Sequence, residues 1–150
     1  MALNDLAHLY REVILDHAQH PRNQQTMRNA TYQMELLNPT CGDAITVQLM
    51  VSSAGSIEKV TYTGSGCSIS MASASMMTEV LINKTLDEAI HLIEQFNRLV
   101  KGEAIEDESE ELLKDAYYLA GVKNFPARYK CAVLAWKAVE NAIAPQQEGE

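Results

Sequence analysis

The strongest constraint on this chain is a switch in hydrophobic period. Between Met34 and Thr63 apolar residues recur at every second position. Met34 and Leu36 come first, then Ile45, Val47, Leu49 and Val51 opposite Thr46, Gln48 and Met50, then Val60 and Tyr62 opposite Lys59, Thr61 and Thr63. Alternation of this kind sends successive side chains to opposite faces of extended backbone, so three half-buried strands are expected. The Ser52-Ser53-Ala54-Gly55-Ser56 link is short enough for a hairpin, which makes the strands an antiparallel meander.

Outside this block the period is helical. Leu6, Leu9, Tyr10, Val13 and Ile14 share one face of a helix that Asn4 is expected to cap and His20-Pro21 to end. A second helix runs from Ile69 to Leu81, with Met71, Met76 and Met77 as core filling. Thr85 and Glu88 form a capping box for a third, with Gly102 past its end. Strands first and helices afterward predict an α+β fold, an antiparallel three-stranded sheet with helices packed on one face, in a single domain spanning 1–150.

The last third begins with seven acids and two lysines between Lys101 and Asp115. Leu112, Leu113, Ala116 and Tyr117 still offer an inner face, so the stretch reads as the solvated flank of a helix that Gly121 stops. Pro126 opens the final helix, lined by Tyr129, Val133, Trp136 and Ile143, and Pro145 to Glu150 reads as a frayed tail.

Charge narrows the function. A net charge of −8 disfavours nucleic acid as a partner, since binding a polyanion needs a basic surface. No apolar run approaches the ~18 residues that span a bilayer, and Met1 to Leu15 lacks the pattern of an export signal, so no membrane partner and a cytoplasmic location are expected. Three widely spaced cysteines, Cys41, Cys67 and Cys131, suit reduced thiols better than a disulfide framework.

Those cysteines carry the candidate chemistry. Cys41-Gly42-Asp43 lies in a loop between strands, Gly64-Ser65-Gly66-Cys67 leads from the third strand into a helix, and Cys131 lies early in the last helix with Arg128 one turn before it. Each thiol alone is also compatible with a small buried hydrophobe. If they converge, three thiolates and the Asp43 carboxylate supply the four donors of closed tetrahedral zinc. Such a site carries two net negative charges, and Lys123, Arg128, Lys130 and Lys137 offer compensation nearby. The histidines His8, His17, His20 and His91 lie on helices or helix ends and read as surface or capping groups.

Five segments together resemble the U-type iron–sulfur cluster assembly proteins, and within them the SufU branch. They are Leu9 to His17, His20-Pro21-Arg22-Asn23, Asn38-Pro39-Thr40-Cys41-Gly42-Asp43, Gly64 to Ser70, and Arg128-Tyr129-Lys130-Cys131-Ala132. The resemblance implies a fold like that of SufE, NifU and IscU, with a metal site at one end of the sheet formed by Cys41, Asp43, Cys67 and Cys131. It implies Zn2+ as the cofactor and a SufS-type pyridoxal-phosphate cysteine desulfurase as the partner, with Cys41 accepting persulfide sulfur for downstream iron–sulfur assembly proteins.

Two departures from the IscU scaffold branch stand out: Lys130 replaces the histidine found there before the third cysteine, and the stretch from Cys67 to Cys131 is longer by the acidic segment. Lysine is a cationic donor and a poor metal ligand, which leaves Asp43 as the fourth donor. Arg128 is expected to hydrogen-bond a ligand sulfur or carboxylate as part of the reactive site. The alternatives are a scaffold for iron or a transient 2Fe–2S cluster on the same donors, and a structural zinc module that only binds a partner.

Overall fold

A computed structural model describes residues 3–148. The first helix, α1 (Leu3–Gln19), is followed by three strands, β1 (Tyr32–Asn38), β2 (Asp43–Val51) and β3 (Ile57–Ser65). They pair antiparallel in the order β1-β2-β3, as the alternation predicts, with a bulge at Met50/Val51. Ile45, Val47 and Leu49 of β2 and Val60 and Tyr62 of β3 turn one face of the sheet into the core. Helices α2 (Ser68–Leu81), α3 (Leu86–Val100) and α5 (Tyr129–Glu148) complete that core, and the short α4 (Asp107–Leu112) lies outside it.

The β2 alternation has a consequence at its end. Asp43 is in phase with Ile45, Val47 and Leu49, so its carboxylate points to the helix-covered side and is buried. Asn38, the last residue of β1, is its cross-strand partner and is buried too. The loop between them, Pro39 to Gly42, closes with Gly42 at φ +74°, a conformation that favours glycine.

Two internal hydrogen bonds hold α5 against α2. Ser73 Oγ donates to the Ala132 carbonyl at 2.6 Å and accepts from Trp136 Nε1 at 2.8 Å. Trp136 also stacks on Phe96 of α3, with ring centroids 4.0 Å apart and planes 8° from parallel. The first turn of α5, which carries Cys131, is thereby pinned on two sides.

Five local expectations change. Helix α1 starts at Leu3, so Asn4 lies inside its first turn rather than before it; the side chains of Asn4 and Leu6 lie outside the described residues. The acidic stretch is not one helix: α4 ends, Lys114 takes φ +51°, and a 3-10 run follows over Lys114–Asn124. Its buried residues explain why. Leu113, Ala116, Leu119 and Val122 recur at every third position, the repeat of a 3-10 helix.

Gly121 lies inside that run and does not end it. A Cβ there would come within 2.7 Å of the Tyr10 ring, so this glycine permits a close approach to α1. Helix α5 continues through Pro145 to Glu148, beyond the expected start of the tail; Gly149 and Glu150 lie outside the described residues. Finally, Pro126 opens a 3-10 turn, Pro126–Arg128, rather than the final helix itself, which begins at Tyr129.

Candidate metal centre

Three breaks in regular structure meet at one end of the sheet: the β1–β2 loop, the β3–α2 junction and the entry to α5. They carry Cys41, Cys67 and Cys131 respectively. Cys41 and Cys67 are half-buried and Cys131 is fully buried. The thiols of Cys41 and Cys131 and a carboxylate oxygen of Asp43 all lie within 4.8 Å of one another, a separation suited to one metal ion. Cys131 Sγ donates to Cys41 Sγ at 2.9 Å.

Cys67 stands at the margin of this group. It is the N-cap of α2, and its sulfur accepts from the Ser70 backbone N–H at 3.5 Å. An N-capping sulfur sits at the positive end of the helix dipole. The close set of two thiols and one carboxylate therefore has the third thiol, a fourth donor, next to it, held by the first turn of α2.

Asp43 is the most tightly held member. Its Oδ1 accepts from the Cys67 N–H at 2.9 Å and from Ser70 Oγ at 3.0 Å, and its Oδ2 accepts from Asn38 Nδ2 at 3.1 Å. Burial opposes the charge, but these donors outweigh it and hold the carboxyl below its ordinary range. Gly66 makes the arrangement sterically feasible, because a Cβ there would lie 2.5 Å from both Asp43 Oδ1 and Ser70 Oγ.

Cys131 responds in the opposite sense. Burial, then hydrogen bonding with Cys41 and Cys67, pushes the Cys131 thiol well up. Arg128 lies exposed at the rim, with Nη1 donating to Cys41 Sγ at 3.8 Å. Hydrogen bonding toward Cys131, followed by the charges of Cys67 and Cys41, raises the guanidinium above its usual value. Lys130 is exposed beside Cys131 and is not among the close donors.

The donor chemistry fits zinc. Soft thiolates with one carboxylate suit a tetrahedral Zn2+, which prefers sulfur, nitrogen or carboxylate ligands. Helix N-termini and Arg128 oppose the negative charge these ligands bring.

Sequence reasoning passes over several residues here. Asn38 and Ser70 carry no chemical signal until the strand register and the α2 cap place them on Asp43. Tyr10 also faces this end: its ring stacks on Phe125 at 6.1 Å, and burial raises its hydroxyl, against the opposing charge of Arg128 and with that of Cys67. His17 is not a surface group. It is buried, with Nδ1 2.7 Å from Ser75 Oγ and Nε2 2.9 Å from Asp115 Oδ2, and so ties α1 to α2 and to the 3-10 run.

Comparison with known proteins follows the same lines. Residues 9–132 match the model of the NifU-like N terminal domain family. The chain is 40% identical over 141 residues to the zinc-dependent sulfurtransferase SufU of Bacillus subtilis, covering 94% of this chain and 93% of that protein. It is 41% identical over 143 residues to the iron–sulfur cluster assembly scaffold protein IscU of Streptococcus pyogenes serotype M1, covering 95% and 87%. Among solved structures, a SUF-system iron–sulfur cluster assembly scaffold protein from Fervidobacterium islandicum AW-1 superposes with a TM-score of 0.82 at 32% identity, over 90% of this chain and 96% of that one.

Proposed function

Because the chain belongs to the NifU-like N-terminal domain family and is similar to proteins of iron–sulfur cluster assembly over most of their length, we propose that it is a zinc-dependent sulfurtransferase of that process, receiving sulfur on Cys41 from a SufS-type cysteine desulfurase in the cytoplasm. One observation carries the reading: a half-exposed thiol, Cys41, on a glycine-closed loop, lies against a buried thiol and a guanidinium within a set of donors suited to a metal. Cys41, Asp43, Cys67 and Cys131 are the proposed ligands. Zinc, when bound, supplies positive charge that keeps thiols deprotonated at neutral pH and takes no part in redox change.

The chain's own residues account for the transfer. The Cys41 thiolate attacks the outer sulfur of the desulfurase persulfide. The sulfur–sulfur bond breaks, the desulfurase cysteine leaves as thiolate, and Cys41 holds the new persulfide, with no net oxidation or reduction. Arg128 lies at hydrogen-bond distance from Cys41 Sγ and stabilises the negative sulfur during this exchange. Downstream assembly proteins then take the sulfur.

The scaffold reading, a transient 2Fe–2S cluster on the same donors, is favoured by the likeness to the streptococcal protein. Lysine at position 130 favours sulfur transfer, since it supplies no imidazole before the third cysteine. The decisive experiment is desulfurase turnover with zinc-loaded wild type and Cys41→Ala. The variant should fold and lose stimulation; full stimulation by Cys41→Ala would reject Cys41 as acceptor.

A further inference from the structure

The three thiols are not equivalent. Cys41 sits on a four-residue loop, and its sulfur accepts hydrogen bonds from the exposed Arg128 and from the thiol of Cys131. Cys67 is half-buried and engaged by the Ser70 backbone. Cys131 is fully buried in the pinned first turn of α5, and it has a side-chain donor of its own: Asn38 Nδ2, 3.7 Å from Cys131 Sγ.

The same nitrogen donates to Asp43 Oδ2 at 3.1 Å. An asparagine amide carries two N–H donors on one nitrogen, so Asn38 can serve both acceptors at once without choosing between them. Its orientation is also determined. An ionised carboxylate and a thiolate are both acceptors, so the amide oxygen has nothing to gain from facing them. Asn38 is 4% exposed and fixed by its register opposite Asp43, so little conformational freedom is left to lose when a metal binds.

Resting on the reading that these donors hold a metal, we propose that Asn38 is a positioning residue: one amide ties Asp43 to Cys131 and makes Cys131 the sulfur that stays, leaving Cys41 as the sulfur that exchanges. Two elements far apart in sequence, the end of β1 and the start of α5, are thereby locked in the geometry a metal requires. Neutral donors to a ligand sulfur also lower the cost of gathering negative charge without adding a competing ligand.

The test uses the full chain with Asn38→Leu, which keeps the volume and removes both donors, and Asn38→Ser, which is small, polar and too short to bridge. Three quantities are read: Zn2+ affinity by chelator competition, the sulfur-to-cobalt charge-transfer absorption after Co2+ substitution, and the alkylation of each thiol by iodoacetamide, located by mass spectrometry. Loss of the bridge should weaken Zn2+ binding by about 10–100-fold. It should also alter the charge-transfer band and make Cys131, protected in the wild type, reactive.

Wild-type affinity, spectrum and alkylation order in both variants would overturn the inference while leaving the metal reading intact. Where Asn38→Leu does not fold, Asn38→Ser decides alone. A wild-type chain that binds neither Zn2+ nor Co2+ through its thiols would overturn the metal reading, and this inference with it.

Discussion

Adding a single methyl group at position 66 should damage this site more than the same change at Gly42 of the β1–β2 loop. Gly66 has an ordinary backbone conformation, so Gly66→Ala carries no φ penalty; its cost is contact. The new Cβ would lie 2.5 Å from Asp43 Oδ1, 3.1 Å from Asp43 Cγ and 2.5 Å from Ser70 Oγ. Asp43 must move, and with it go the hydrogen bonds that Oδ1 accepts from the Cys67 N–H and Ser70 Oγ.

Hydrogen bonds to a charged group contribute about 1.5–3 kcal/mol each, so losing both costs about 3–6 kcal/mol. Gly42→Ala is the control. It has open space around it and φ +74°, so only the left-handed penalty of about 1–2 kcal/mol applies. Urea unfolding of the reduced, zinc-free proteins reads the difference. With an m-value of about 2 kcal/mol/M, Gly66→Ala should lower the midpoint by about 1.5–3 M and Gly42→Ala by about 0.5–1 M. Equal midpoints for the two variants would refute the claim that Gly66 exists to let Asp43 in.

Two further outcomes test the frame around the site. Trp136→Phe keeps a ring against Phe96 but removes the donor to Ser73 and leaves a small void, so it should cost about 1–3 kcal/mol in urea unfolding; an unchanged midpoint would mean that α5 is not anchored there. The Asp16 carboxyl is held below its ordinary value chiefly by the hydrogen bond from Arg22. Its folded value is therefore below its unfolded one. The stability it lends is whole above the unfolded carboxylate pKa of about 3.9 and is lost as pH falls through the folded value. Unfolding midpoints of wild type and Asp16→Asn should differ at neutral pH and converge on acidification, and a gap independent of pH would contradict this.

The strands were readable because one face of each is buried, and a two-residue alternation leaves no other register for Ile45, Val47 and Leu49. The α3 capping box was equally local: the Thr85 side chain accepts from the Glu88 N–H and Glu88 returns the bond. The 3-10 run was not readable, because a spacing of three over Leu113, Ala116, Leu119 and Val122 also fits one face of an α-helix. His17 was misread for a related reason. A polar residue on a helix gives no sign that a hydroxyl 58 positions away and a carboxylate 98 positions away will close around it.

At the site, the residue types carry part of the arrangement, since glycines beside Cys41 and Cys67 mark turns that can bring thiols together. What the types could not convey is order among them. Cys67 reads as the equal of the other two thiols, yet it caps α2. Asn38 reads as a loop residue, yet strand pairing puts it opposite Asp43 and within reach of Cys131. The cap is local, a sulfur accepting from a backbone N–H three residues on, whereas the placement of Asn38 depends on long-range register, which composition and spacing do not encode.

Zinc-loaded protein incubated with a cysteine desulfurase and sulfur-labelled cysteine, then mapped thiol by thiol by mass spectrometry, interrogates the mechanism at its reacting atom. The label is predicted on Cys41, with Cys67 and Cys131 unlabelled. Label absent from Cys41, or carried first by either of the other two, would contradict the account.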